Sequence, residues 1–355
     1  MSAMNENIQS LCETVKSAYS SKQALSIQGA NSKLFYGNHI DAFEVSTVDL
    51  NGIIEYQPSE LYLTAYAGTT LHTIEQTLAE HHQMLSFEPP SYSDSGTLGG
   101  VVACGLSGPR RPYADAIRDC ILGTNIINGK GEYLSFGGKV MKNVAGYDVS
   151  RLMCGALGTL GILTQVSIKV LPKPKFEVTL TFEFNQEAAL KHLHQWLNSL
   201  IPISATYFAN NQLWIRIAGL ENSVEKIHQQ LGGELIPSSD LFWQAIKNHQ
   251  HEFFQSDMPL WRCIVPHNTT SVGIEGDSCF EWHGGLRWIK SHEPYEKVVT
   301  ACQSLRGHAT LFRAPYDTVD CFSPMNDQLK KLHLSLKHAF DPAGILNPRR
   351  MYSWC

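Results

Sequence analysis

No two of the nine cysteines in this chain stand three positions apart, so the C-x-x-C spacing of zinc ribbons and iron–sulfur ligands is absent. Their odd number and scatter fit reduced thiols of a cytoplasmic protein. No apolar run approaches the roughly eighteen residues that a membrane span needs. The opening MSAMNENIQSL has neither a basic stretch nor an apolar core and does not read as a signal peptide. Charge is sparse: 17% of residues carry it, and the formal net charge is −5. That balance gives no general pull toward nucleic acid or acidic lipid. No repeat of fixed period and no low-complexity tract is present. An anionic ligand must therefore be held by local chemistry, and a membrane met only through a partner.

What is present is a chain of 355 residues, 43% of them hydrophobic, long enough for two cores. Helical spacing of Ile8, Leu11, Val15 and Ala18 predicts a first helix over 5–20, and Leu71, Ile74 and Leu78 predict another over 70–85. Two strands are expected in 52–70, and Asn128-Gly129-Lys130-Gly131 joins two more in 117–138. A long β-branched strand then runs to Pro172 and Pro174, where the texture changes. The expected division is 1–174, a second α/β layer at 175–324, and a closing helix and tail at 325–355. Within the second layer, strands are expected near 260–266 and 271–276.

Glycine is concentrated in three places. Five of the thirteen positions from Gly96 to Gly108 are glycine, a density that costs backbone entropy and needs a reason. The other two runs are "QGANSK" (28–33) and "GALGTLG" (155–161). A dinucleotide G-x-G-x-x-G must follow a strand and open a helix. Gly155, Gly158 and Gly161 have the wrong spacing and lead into the strand-like "ILTQVSIKV". A Walker loop fails because Lys130 is followed by glycine. Three loops pairing small residues with hydroxyls (Ser32; Ser91, Ser93, Ser95 and Thr97; Thr159) can instead converge backbone N–H groups on an anion without a helix dipole.

"PPSYSDSGTLGGVVACGLSGPRRPYADAIRDCILG" and "GYDVSRLMCGALGTLGILTQVSIKVLPKP" resemble the FAD-binding domain of the vanillyl-alcohol-oxidase (PCMH) type. "IQGANSKLFYG", "SGPRRPY" and "GGKVMKNVAGYDVSRL" are similar, within it, to the E subunits of bacterial glycolate oxidases. The resemblance covers about 24–174 and resumes at "FDPAGILNPRR" (340–350). It implies an α+β fold: two α/β subdomains around FAD, a second α/β cap domain, and a C-terminal segment that returns to the flavin. Carried over by position, Gln28, Gly29, Ala30, Asn31, Ser32 and Lys33 form the first pyrophosphate loop. Pro90, Ser95, Gly96, Thr97, Leu98, Gly99 and Gly100 form the second. Ala103, Cys104, Gly105 and Leu106 continue beneath the ring system. Leu157 to Leu163, with Gly158, Thr159, Gly161 and Ile162, face the adenosine side, and Asn347 closes the site. Ala30-Asn31, Ala114 and Leu157 depart from the family pattern. With no histidine in 28–33, FAD is expected to be noncovalent.

The resemblance further implies an oxidoreductase acting on the CH–OH of a 2-hydroxy acid as part of a complex. Its FAD would relay electrons while glycolate becomes glyoxylate. The implied partners are a catalytic flavoprotein subunit and an iron–sulfur subunit, the latter carrying electrons toward quinone. The place implied is the cytoplasm, peripheral to the inner membrane through those partners. Catalytic relatives carry an H-x-x-G-D-G-N-x-H stretch near a metal, which this chain lacks, and no metal site is expected. For a site of its own, the candidates are Arg287 or Arg313 to hold a carboxylate and His283 in "EWHGGLRW" as base. Arg110-Arg111 are open between a phosphate contact, a partner surface and plain solvation. A self-sufficient 2-hydroxy-acid dehydrogenase and a non-catalytic assembly subunit stand as alternatives.

Overall fold

The computed structural model describes residues 6–138, 148–237, 239–314 and 320–355. The resemblance segment at 139–147 lies outside the described residues. The first helix, Glu6–Ser21, buries Ile8, Cys12, Val15 and Ala18 along one stripe. It covers a parallel pair, Leu25–Gln28 with Phe43–Ser46. The C-terminal segment adds to this pair: Leu25 bridges Leu346 in parallel, and Leu25 N–H donates to Ile345 O at 2.8 Å.

A five-stranded antiparallel sheet stands beside it, in the order 53–57, 62–66, 162–169, 121–127, 133–137. Its long central strand, Ile162–Lys169, is buried on both faces apart from Gln165 and Lys169. Leu71, Ile74 and Leu78 of the helix Leu71–Ala79 pack on one face, together with Leu98, Val101 and Val102. That helix is shorter than its apolar spacing predicts: His82 turns left-handed at φ 54°, and Gln83–Met84 becomes a short strand paired with Leu171–Pro172.

From Phe176 to Arg313 the chain builds an eight-stranded antiparallel sheet. Its strand Ile203–Ala209 is buried at every position. Helices Gln186–Leu197 and Glu221–Leu231 cover one face through Leu190, Leu193 and Val224. The other face meets the N-terminal half through aromatic side chains, among them Tyr36, Tyr207, Trp243, Trp282, Trp288 and Phe312. The strand expected at 271–276 lies instead at Asp277–Glu281, followed by Leu286–Lys290.

Four charges, two buried arginines and two half-buried glutamates, join the two halves. Arg110 pairs with Glu88 at 3.3 Å and Glu177 at 2.6 Å, and Arg216 pairs with Glu88 at 2.8 Å. Arg110 is thus neither a phosphate ligand nor a solvated surface charge. Beside it Trp282 Nε1 donates to Gly108 O at 3.0 Å. A Cβ at Gly108 would fall 2.4 Å from Glu88 O, so the close approach here requires glycine.

Candidate functional site

The three glycine-rich runs meet at a cleft of about 720 Å³, a volume that includes its opening to solvent. The first run leaves the strand Leu25–Gln28. Asn31 is left-handed at φ 58°, and its Nδ2 donates to Gln28 Oε1 at 2.6 Å. Among the described residues, the backbone N–H groups of Gly29, Ala30, Asn31, Ser32 and Lys33 find no acceptor. The carbonyls of the same loop are taken from outside: Arg350 donates to Leu34 O at 2.9 Å, Tyr36 O at 2.8 Å and Asn38 O at 2.5 Å. An arginine that collects the carbonyls leaves a run of amides free to face an anion.

The second run is partly a helix, not a loop throughout. Leu98–Cys104 makes two turns, capped by Thr97, whose Oγ1 accepts from Gly100 N at 3.3 Å, and closed by left-handed Gly105. The seven-residue length explains why glycine propensity hides it: Gly99 sits where a Cβ would lie 2.9 Å from Ala67 Cβ, so close packing sets its identity. Thr97 also meets the first run, its Oγ1 only 2.7 Å from where a Cβ on Gly29 would stand. Gly99, Gly100, Ala103 and Cys104 form this wall of the cleft.

The third run is tied to the first by the C-terminal segment. Asn347 Oδ1 accepts from Ile27 N at 2.6 Å while its Nδ2 donates to Leu157 O at 2.7 Å. Leu157, Gly158, Gly161 and Leu163 supply a largely apolar wall. At the other side stands Lys33, 7% exposed, whose Nζ has no hydrogen-bond partner. Burial lowers its pKa, and the Cys104 thiol beside it is pushed up by burial. Free amides and an orphaned ammonium at one part of the cleft, with aliphatic walls elsewhere, fit a ligand that is anionic in its middle and flat and apolar at its ends. FAD has that make-up.

Other carried-over positions lie off the cleft wall. Leu98 and Ile162 are fully buried in the cores. Ser95 is exposed and bonded to Ser93, while Gly96 O accepts from Leu71 N at 2.8 Å. Thr159 caps its own turn through Ala156 O at 2.7 Å, and Gly105 is the helix stop. Pro90 and Leu106 face a second, smaller cavity. The cleft also takes in Ile27, Leu34, Thr47 and Arg350, which the sequence reading passes over. Arg350 ends a segment already matched to the family, and its position there was the available signal.

The smaller cavity, about 290 Å³, lies between Pro90–Tyr92, Leu106–Pro109 and the large sheet. Arg262, His249 and Glu281 point polar chemistry at it. Glu281 is 4% exposed; burial pushes its carboxyl up to about 7, against a 2.8 Å bond from Trp288 Nε1. Burial and the charges of Arg313 and Arg262 hold His249 neutral, stacked on Phe254 at 3.9 Å between centroids. Among the described residues, Arg262 has no carboxylate within 4.0 Å and lies over the Trp282 ring.

The three expected catalytic side chains are placed differently from one another. Arg287 spends its guanidinium on Gly284 O (2.7 Å) and Thr269 O (2.6 Å), and burial lowers its pKa to about 10. It faces neither cavity. His283 is bound to the Tyr113 hydroxyl through Nδ1, and burial lowers its pKa to about 4. Arg313 does not line the cleft: its guanidinium lies 5.0 Å from the centre of the Phe35 ring, and its charge reaches Tyr92 and His249 of the smaller cavity. No group of three or more His, Cys, Asp or Glu suited to a metal occurs among the described residues.

Comparison with known proteins bears on the fold and the family. Residues 3–137 match the family described as FAD binding domain. The solved structure of 4-ethylphenol oxidase from Gulosibacter chungangensis superposes with a TM-score of 0.67 over 98% of this chain and 88% of that one, at 15% identity. That likeness is one of fold, the α+β arrangement of PCMH-type flavoproteins. Glycolate oxidase subunit GlcD of Bacillus subtilis is 34% identical over 37% of this chain and 28% of its own. Glycolate oxidase subunit GlcE of Escherichia coli is 43% identical over 97% of both chains. The chain therefore belongs to the family of the glycolate oxidase subunit GlcE.

Proposed function

We propose that this chain is the FAD-binding subunit of a glycolate oxidase, holding FAD noncovalently and relaying electrons within the complex during oxidation of glycolate to glyoxylate. The observation that carries the reading is the cleft: five free amides and the unpartnered Lys33 ammonium at one part, aliphatic walls at the other. When bound, FAD supplies a two-electron acceptor that can release electrons singly to a one-electron carrier. The residues of this chain bind and shield it. Asn347 fixes the two loops, Arg350 orients the first, and Phe35, Tyr92 and Phe312 pack against one another where the halves meet. With Arg287 and His283 engaged elsewhere, substrate chemistry falls to a catalytic flavoprotein partner. An iron–sulfur subunit would take the electrons on, at the inner membrane. No helix among the described residues is long and apolar enough to cross a membrane.

The test is spectroscopic. The purified chain should be yellow and release FAD on denaturation, and glycolate should bleach it only after the catalytic partner is added. Bleaching of the isolated chain by glycolate or D-lactate would overturn the relay. One observation favours the second reading, a self-sufficient 2-hydroxy-acid dehydrogenase: the smaller cavity has an unpaired Arg262 opposite Glu281 and His249. In that case Arg262 would hold the carboxylate, and Arg262→Met would abolish bleaching while FAD stayed bound.

A further inference from the structure

A buried ammonium without a partner is costly, because desolvation penalises the charged form. Lys33 is such a group. Its residue is 7% exposed, its Nζ is sealed and unbonded, and it lines the cleft. The charged and titratable groups around it supply one ring contact and no hydrogen bond. From the helix Leu98–Cys104 comes the Cys104 thiol, and from the loop before it the Tyr92 ring, 5.8 Å from Nζ to centroid. The C-terminal segment brings the Arg350 cation, which donates to the carbonyl of Lys33 itself at 3.5 Å. Tyr36 lies on the same loop, and the large sheet contributes Arg313 against Phe35 and, farther off, Arg262. Among the described residues no carboxylate pairs with Nζ. Its charged and titratable neighbours are three further cations and three neutral groups.

We propose that Lys33 is the counter-charge to an anionic group of the bound dinucleotide, so that cofactor and proton enter the cleft together. The proposal rests on the FAD reading and deepens it. In the FAD-free chain, burial favours the neutral amine. An anion brought against Nζ restores the charged form, which makes binding proton-linked. The anion has two possible sources: the diphosphate, or the ring system once it has been reduced and carries negative charge.

The test uses the full chain and Lys33→Met and Lys33→Arg variants, with FAD titrated between pH 6 and pH 10. Wild type should lose affinity as pH rises, by up to about tenfold per pH unit once Lys33 is neutral in the free chain. With FAD offered both oxidised and reduced, K33M should bind the form that carries the paired anion at least about tenfold more weakly at pH 7, as loss of a charge-assisted bond predicts, and show no such slope for that form. K33R should keep affinity without the slope, because guanidinium stays charged throughout. Folding is controlled by the FAD-free chains: K33M should unfold at the same or a higher temperature than wild type, since an unpaired buried amine has been removed.

Two probes separate the sources. If the diphosphate is the partner, K33M weakens ADP binding and leaves the reduction potential of bound FAD unchanged. If the reduced ring is the partner, ADP binding is unchanged, the potential falls, and the affinity loss appears with reduced FAD. K33M that binds oxidised FAD, reduced FAD and ADP within twofold of wild type, with the wild-type pH profile, overturns the proposal alone. A wild-type chain that takes up no FAD overturns the functional reading and this one with it.

Discussion

Asn347 shows how much one side chain can organise. It accepts from Ile27 N and donates to Leu157 O, and it lies so close to Gly158 that a Cβ there would sit 2.6 Å from its Nδ2. Asn347→Ala leaves a buried N–H and a buried C=O unsatisfied, at about 1–3 kcal/mol each. Urea unfolding should show a loss of that order, and FAD should leave the variant faster on dialysis. Glu281 predicts a pH effect. Its carboxyl is raised from 4.5 to about 7 by burial, so between those values the folded chain keeps a proton that the unfolded chain has lost. Its stabilising contribution is therefore full below 4.5 and declines as pH rises to about 7, by roughly 1.4 kcal/mol per pH unit. Glu281→Gln should flatten that part of the profile of urea midpoints; an unchanged slope would count against this placement of the carboxyl. Neither residue's role is legible in the sequence. Asn347 is reached only through resemblance of its segment, and Glu281 looks like any strand glutamate until Trp288 and the cavity enclose it.

Elements were readable where their apolar period agreed with their packing. Ile8, Cys12, Val15 and Ala18 repeat at helical spacing and face one core, so the first helix is plain in the sequence. The helix Leu98–Cys104 is not, because Gly99 and Gly100 argue against it; tertiary contact with Ala67 decides the conformation. Two substitutions probe it. Thr97→Ala removes the cap and should cost about 1 kcal/mol of stability, read by urea midpoint, together with weaker FAD binding because the same hydroxyl abuts Gly29. Gly99→Val, with its added branches forced onto Ala67, should cost several-fold more than T97A or prevent folding, read by circular dichroism and soluble yield. The strand at Asp277–Glu281 escaped the sequence reading for a related reason. It alternates poorly in polarity, and pairing with strands Ile203–Ala209 and Leu286–Lys290, not its own pattern, holds it in the sheet.

At the scale of the molecule, the quartet Glu88, Arg110, Glu177 and Arg216 locks the two halves to each other. Removing one member strands its partners in a buried place, at about 3–5 kcal/mol. Arg110→Met should therefore lower the main thermal transition and split it in two, as the halves lose their coupling; a single transition within a degree of wild type would refute this. In sequence, Arg110 beside Arg111 is just a basic pair, since its partners lie 22 and 67 residues away. The two α/β layers can be seen in the sequence, whereas their contact depends on pairs that no local pattern records. The returning C-terminus has a consequence in time. Ile27 N–H bonds to Asn347, 320 residues later, and Asn38 O accepts from Arg350, 312 residues later. A ribosome delivers the first loop long before the residues that shape it. A nascent chain can thus fold its central sheet early, yet it has no finished cofactor site until Asn347 and Arg350 emerge. Cofactor loading then waits on residues made more than 300 positions after the first loop, and a chain stopped before Asn347 is released without a finished site.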